Sequence, residues 1–159
     1  MVLADQQKYE EAESSARRAL AVWEKALGPE HPNLACGLET LGRVLREQRR
    51  LDEAEPLLRR ALAILEKAFG PEHLAVAAYL DSLSMLLVEQ NKYAEAELLA
   101  RRALAVREKR FGPDHPGVAK TLDVLTELCE KVGRTAEAQE LSARAKSIRD
   151  KNAQAQTPA

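Results

Sequence analysis

Three histidines, His31, His73 and His115, recur in the chain at one constant interval. Histidine is the commonest metal ligand in proteins, so a repeated histidine first raises the question of a metal site. Equivalent residues of stacked repeats lie about 10 Å apart, the spacing of packed helices, whereas zinc requires ligands at about 2 Å. We therefore expect these histidines to have a structural role, and we expect no metal site.

Paired arginines are the second repeated feature that could carry chemistry, because a basic stripe can bind nucleic acid. The pairs are Arg17-Arg18, Arg59-Arg60 and Arg101-Arg102. A glutamate precedes each pair by one helical turn, and only 4% of the residues are aromatic, which leaves few rings for stacking on bases. The formal net charge of −1 gives no field that attracts nucleic acid or an anionic membrane. We expect neither as a partner.

The sequence carries no motif of an enzyme. It has no glycine-rich phosphate loop and no nucleophile elbow, so we expect no catalytic residues and no cofactor. Cys36 and Cys129 have neither metal-site nor redox spacing, which favours free thiols in a reducing compartment. No apolar run approaches the roughly 18 residues of a membrane-spanning helix, and residues 1–13 do not form a secretory signal. We expect a cytoplasmic protein.

A stretch of nine residues occurs three times and predicts where the helices that carry any site begin and end. It reads EKALGPEHP at residues 24–32, EKAFGPEHL at 66–74 and EKRFGPDHP at 108–116. Glycine adopts the left-handed conformation that closes a helix, and proline cannot continue one, so each copy is a corner between two helices. The equal spacing of the three copies indicates a repeat architecture.

Two amphipathic helices fill each unit, and the short polar corners between them force antiparallel packing. Leu80, Leu83 and Leu87, for example, form the apolar stripe of one first helix. We predict an all-α fold, an α-solenoid of antiparallel helix pairs with about three and a half repeats. Its predicted parts are a partial first repeat at 1–28 (half of a first helix and a complete second helix), repeat 2 at 29–70, repeat 3 at 71–112, a degenerate capping repeat at 113–154 and a disordered tail at 155–159.

The pattern resembles the tetratricopeptide repeat, and the 42-residue period with its GPEHP corner resembles the longer repeats of kinesin light chains and their bacterial relatives. The matching residues are His115-Pro116, Val118-Ala119, Thr121-Leu122, Tyr93, Glu95-Ala96-Glu97, Arg102-Ala103-Leu104 and Glu108-Lys109. The resemblance implies a superhelical scaffold that binds a peptide or a segment of a partner protein on its concave face, without catalysis.

By the same resemblance, the first helix of each unit lines the concave face. The predicted partner-binding residues are Glu39, Thr40, Arg43, Arg46, Asp81, Ser82, Met85, Val88, Asp123, Glu127 and Glu130. Read across the three helices, one lane changes from basic to apolar to acidic, at Arg43, Met85 and Glu127. This order predicts a polarised groove, and a solvated helix face with scattered charges is the alternative.

The resemblance also shows where this chain departs from the family. Relatives often carry an Asn-Asn pair on the first helix, whose amides can hydrogen-bond a bound peptide. This chain has Glu39-Thr40, Asp81-Ser82 and Asp123-Val124 there. An ionised carboxylate accepts hydrogen bonds but donates none, so an acidic lane that prefers cationic side chains is a candidate substitute.

The N-terminus suggests two further functions. Met1 aligns with Met85, so the chain begins halfway through a first helix and leaves apolar surface around Leu3, Tyr9 and Ala12 without its usual cover. A second copy could cover this surface, which would make the chain a self-assembling module and a homo-oligomer. Alternatively, the chain is the regulatory repeat region of a larger signalling protein.

Overall fold

The computed structural model describes the backbone of residues 2–155 and the side chains of residues 9–154. This part of the chain contains no strand, and its seven helices are α1 (Val2–Leu27), α2 (Asn33–Glu47), α3 (Leu51–Phe69), α4 (Leu74–Glu89), α5 (Tyr93–Phe111), α6 (Pro116–Lys131) and α7 (Thr135–Ala155). Helices α2–α3, α4–α5 and α6–α7 pack as antiparallel pairs, which confirms the predicted all-α solenoid. Of the predicted tail at 155–159, Ala155 ends α7 and the rest lies outside the described residues.

A glycine closes the second helix of each pair at the repeated corner. Its φ angle is +85° at Gly28, +86° at Gly70 and +83° at Gly112, in the left-handed region that side chains disfavour. The amide of Gly70 still donates a hydrogen bond to the carbonyl oxygen of Glu66 at 2.9 Å. The helix therefore ends with its last turn satisfied, as the sequence predicts.

The repeated histidines cap the first helix of the next pair. Nδ1 of His73 accepts a hydrogen bond from the amide of Ala75 at 3.2 Å, and Nδ1 of His115 accepts one from the amide of Gly117 at 3.0 Å. An amide in the first turn of a helix has no partner within that helix, so the histidine satisfies it. The imidazole of His115 also stacks on Phe111, with ring centroids 4.1 Å apart. The structure thus uses histidine to build the corner.

The N-terminus differs from the predicted half helix followed by a second helix. Residues 2–27 form one continuous helix, so the corner that α2 and α3 share has no equivalent here. In that corner Arg49 has a φ of +62° and the amide of Arg50 donates to the Leu45 carbonyl at 2.9 Å. The equivalent residue, Gln7, favours a helix, so no turn interrupts α1 before Tyr9. The predicted apolar side chain of Leu3 lies outside the described side chains.

The first helices form the inner layer of the solenoid, and the second helices form the outer layer. Cα atoms of α2 and α4 approach within 8 Å, as do those of α4 and α6, whereas between residues 2 and 155 those of successive second helices do not. Fully buried leucines such as Leu38, Leu80 and Leu122 fill the space between the layers. The closer spacing of the inner layer places the first helices on the concave side.

Ion pairs join the second helices across the wider outer spacing. Arg59 contacts Glu55 on its own helix and Glu95 in the next repeat, both at 2.8 Å, and Lys92 reaches Glu55 at 2.7 Å. The same arginine position links Arg17 to Glu13 and Glu53, and Arg101 to Glu97 and Glu137. We call these repeated contacts the outer ladder. The glutamates that precede the arginine pairs thus neutralise the arginines, as expected from the sequence.

Glu55 is the most strongly perturbed acid of the outer ladder. The hydrogen bond from Lys92 lowers its pKa to about 2, with help from Arg59 and against the opposing effect of burial. In the unfolded chain this carboxyl would have its ordinary pKa of 4.5. Because the unfolded state takes up the proton first, the contribution of Glu55 to stability is present above pH 4.5 and is lost as the pH falls toward about 2.

We predict that Glu55→Gln lowers stability at pH 7 by about 0.5–1 kcal/mol, the range of partly exposed ion pairs. The variant should also lose less stability than the wild type between pH 5 and pH 2, because it has no carboxyl to protonate. Urea unfolding across this pH range measures both effects. Glu140→Gln is the control, since Glu140 is exposed and has no ion pair among the described residues. Parallel pH profiles for Glu55→Gln and the wild type would contradict the prediction.

Candidate functional site

Two of the predicted partner-binding residues are buried rather than exposed. Val88 is 3% exposed and belongs to the core, and Asp81 is 6% exposed. Both lie on α4, which is flanked by α2 and α6, so that side positions open to solvent on an isolated helix are covered here. The remaining predicted residues are exposed (Thr40, Arg43, Asp123, Glu127, Glu130) or half-buried (Glu39, Arg46, Ser82, Met85).

A pocket of about 410 Å³ opens on the concave side between α2 and α4. We call it the central pocket. Ala78, Tyr79 and Met85 supply its apolar wall, while α5 and α6 contribute one cation each, Arg107 and Lys120. The pocket also includes five of the predicted residues from α2 and α4, which are Glu39, Arg43, Arg46, Asp81 and Ser82. Tyr79 and Arg107 were not predicted from the sequence as contributors to this face.

A buried ion pair forms the floor of the central pocket. Nη1 of Arg107 lies 2.7 Å from Oδ2 of Asp81, and it also donates a hydrogen bond to Oγ1 of Thr121. The Thr121 hydroxyl in turn donates to Oδ2 of Asp81 at 3.3 Å. One period earlier, the place of Arg107 is taken by the buried Leu65, so a cation at a core position was the available signal that an acid must lie nearby.

The second carboxylate oxygen of Asp81 has no hydrogen-bond partner. Oδ1 is buried, and no donor among the described residues reaches it. Burial raises the pKa of Asp81, while the charge of Arg107 opposes that rise. A buried acceptor without a donor is costly, so this ion pair lowers the stability of the floor relative to a fully satisfied one.

The predicted acidic lane is not free for a ligand, because its three carboxylates are engaged within the chain. Asp81 pairs with Arg107 as described above. Glu39 accepts a hydrogen bond from Ser82 at 3.2 Å. Asp123 makes two contacts with the guanidinium of Arg149, at 2.8 and 3.1 Å. Because each of these carboxylates is already engaged within the chain, the lane is a weaker acceptor for cationic side chains than the sequence suggests.

The central pocket has a cationic balance. Four basic side chains and two carboxylates line it, which leaves a net charge of +2. Arg43 and Lys120 carry the exposed charge. The Arg43 side chain is 63% exposed with Glu39 3.9 Å away, and Lys120 is exposed with no ion pair among the described residues. The opposite end of the concave side, on α6, exposes Glu127 and Glu130. A groove polarised from α2 to α6 stays a prediction, since α6 also places the basic Lys120 in the pocket.

The cysteines and the possible metal ligands form no arrangement of reactive groups among the described residues. Cys36 and Cys129 are both free thiols. In the part of the chain that the structure describes, no three His, Cys, Asp or Glu side chains are grouped as metal ligands. Nor is any helix within these residues long and apolar enough to span a membrane.

Comparisons with known proteins agree with the repeat architecture. A family model described as tetratricopeptide repeat matches residues 1–67, 34–109 and 99–151. The crystal structure of BtubC (BKLC) from P. vanneervenii is similar with a TM-score of 0.83 at 22% identity, over 96% of this chain and 60% of that one. Thus the chain spans 60% of the length of BtubC. No match was found among the curated proteins.

A second group of similar structures comes from Podosopora anserina, and consists of nearly identical TPR-like repeats of a putative kinesin light chain. One of these crystal structures gives a TM-score of 0.76 at 25% identity, over 92% of this chain and 70% of that one. A single-substitution variant of these repeats gives a TM-score of 0.58 at 19% identity, over 94% of this chain and 91% of that one. These similarities agree with the 42-residue pattern read from the sequence.

We predict that Arg107→Leu destabilises the fold by about 3–5 kcal/mol, because it leaves Asp81 buried and unpaired. The double variant Asp81→Ala/Arg107→Leu should be more stable than Arg107→Leu alone, since it removes both charges. Urea unfolding of the wild type, the two single variants and the double variant at pH 7 completes the cycle. If the two single losses simply add in the double variant, the pair is not coupled as the geometry indicates.

Proposed function

The chain belongs to the tetratricopeptide repeat family, and on that premise we propose that it binds a segment of a partner protein on its concave face. Repeats of this family generally mediate protein interactions, and the fold itself brings no catalytic group. We infer a non-catalytic scaffold whose working surface is the central pocket and the adjoining exposed residues of α2, α4 and α6.

The observation that carries the proposal is the central pocket, a cavity of about 410 Å³ on the concave side. Ala78 and Met85 offer an apolar wall for one side chain of an extended segment, and Arg43 and Lys120 offer exposed cations for another. An apolar wall with a few polar groups is typical of a site that orients a ligand.

The charges of the concave side favour one direction of binding. With its net charge of +2, the central pocket favours an acidic side chain near Arg43 and Lys120. Glu127 and Glu130 favour a basic side chain at the α6 end. A segment with both features would bind in a single orientation, since reversal would bring like charges together.

The scaffold is preformed, which limits the ordering cost of binding. Arg107 is held by Asp81 and Thr121, so the floor of the pocket is fixed by groups from three consecutive helices. A rigid surface loses little conformational entropy when a ligand arrives. Binding energy then goes into the contacts themselves.

Two other proposals concern the setting of this scaffold. A regulatory repeat region of a larger signalling protein is compatible with the same binding face. Self-association is the second candidate, because α1 leaves Val22 64% exposed. A cytoplasmic location also stays a prediction, supported by the two free cysteines.

We predict that peptides selected on the full chain from a displayed random library bind at the central pocket. Arg43→Glu should weaken such a peptide by about tenfold or more, because the substitution reverses an exposed charge at the pocket entrance. Ala78→Trp should weaken it similarly by filling the pocket. Affinities measured by calorimetry, with binding sites mapped by amide chemical shifts, provide the test.

Arg110→Glu is the matched control, because Arg110 is exposed on α5 and has no ion pair among the described residues. It is a better control than Arg59 or Arg60, which are held in ion pairs. Equal losses in Arg43→Glu and Arg110→Glu, or shifts confined to the second helices, would overturn the proposal.

A further inference from the structure

Helix α1 leaves one face uncovered that every later second helix buries. Val22 is 64% exposed, whereas its counterparts one, two and three periods later are 6%, 7% and 1% exposed (Ile64, Val106 and Ile148). In the later units this face packs on the first helix of the same pair. Residues 2–8 continue α1 instead of folding back, so they do not take that place.

The uncovered face has the spacing of a helix–helix seam. Ala12, Ser15, Ala19 and Val22 follow one another at intervals of three and four, and we call them the open face. The counterparts of Ala12 and Ala19 in all three later units are again alanines, and those of Ala12 are 0%, 0% and 4% exposed (Ala54, Ala96 and Ala138). Small residues at this spacing allow a second helix to approach closely.

The charges beside the open face also differ from those of the later units. Lys67, Lys109 and Lys151 each contact an acid of the preceding corner. Their counterpart Lys25 has no ion pair among the described residues, and neither does Glu11 on the same edge of α1. Glu11 and Lys25 flank opposite ends of the open face.

This arrangement of charge indicates the occupant. An antiparallel copy of α1, related by a twofold axis, brings Glu11 of each copy close to Lys25 of the other, while Ala12 meets Val22 across the seam. Arg18 lies near the axis on this edge, where its long side chain can extend into solvent. A parallel copy related by a twofold axis would instead place the edge that carries Glu11 and Lys25 against the opposite edge of its partner, so these two residues would not meet. The edge is therefore self-complementary in the antiparallel arrangement.

We propose that two copies of this chain form a dimer by antiparallel pairing of their α1 helices through the open face. The second copy supplies the antiparallel helix that each later pair already contains. The inference deepens the self-association candidate and does not depend on the concave-face proposal, since the open face and the central pocket lie on different helices.

Sedimentation equilibrium of the full chain from 1 to about 200 µM tests the dimer, and these concentrations span weak to moderate association. We expect the mass to rise toward about 35 kDa, twice the 17.6 kDa of one chain. Val22→Glu should raise the dissociation constant by about tenfold or more, because it places a charge in the seam. Leu98→Glu is the matched control, since Leu98 is 69% exposed on α5, and it should leave the mass unchanged.

Charge variants test the antiparallel arrangement. Lys25→Glu should weaken the dimer, because it faces Glu11 of the other copy, and Glu11→Lys/Lys25→Glu should restore it. Arg110→Glu should have no effect. A monomer throughout the concentration range, or a dimer that is insensitive to both Val22→Glu and Lys25→Glu, would overturn the proposal. Peptide binding at the central pocket is measured separately and should be unchanged in Val22→Glu.

Discussion

An antiparallel helix pair has apolar surface on two sides and can bury only one of them within itself. Each pair in this chain therefore depends on the next, and the 42-residue period is the form that this dependence takes in the sequence. The ion pairs follow the same rule. Lys109 contacts Glu72 in the preceding corner, and Lys151 contacts Asp114 one period later. Stability is thus distributed along the stack. The face of α1 that lacks a neighbouring helix is an exception to this rule.

At one core position the residue type changes between repeats, and this change places a buried ion pair on the concave side. Where repeat 2 buries Leu65, repeat 3 buries the guanidinium of Arg107, which requires a compensating charge. Asp81 on α4 provides that charge and Thr121 on α6 adds a hydroxyl, so a single side chain connects three helices. The same arrangement leaves one carboxylate oxygen without a donor. A departure from the repeat that costs stability is a reasonable place to look for binding.

The repeat pattern predicted the fold because corners, caps and apolar stripes are local features. Gly70 and His73 show this well, since each acts through its own backbone or the next turn. The site was predicted less completely, because burial on α4 depends on two neighbouring helices. Val88 reads as a solvent-facing residue of one helix, yet α2 and α6 flank it. Arg107 could have been recognised from its core position, but its partners lie on two other helices, and no local pattern identifies them.

Neighbouring helices are joined by different forces in the two layers of the solenoid, and this gives the layers a different sensitivity to salt. Inner helices touch directly, so the inner seam resists stretching as a packed core does. The outer helices are joined across a wider gap by long side chains such as Arg59 and Arg101, whose attraction salt can screen. Salt should therefore weaken the contacts of the outer rim while it leaves the inner seam intact, so the two layers of one scaffold differ in their response to ionic strength.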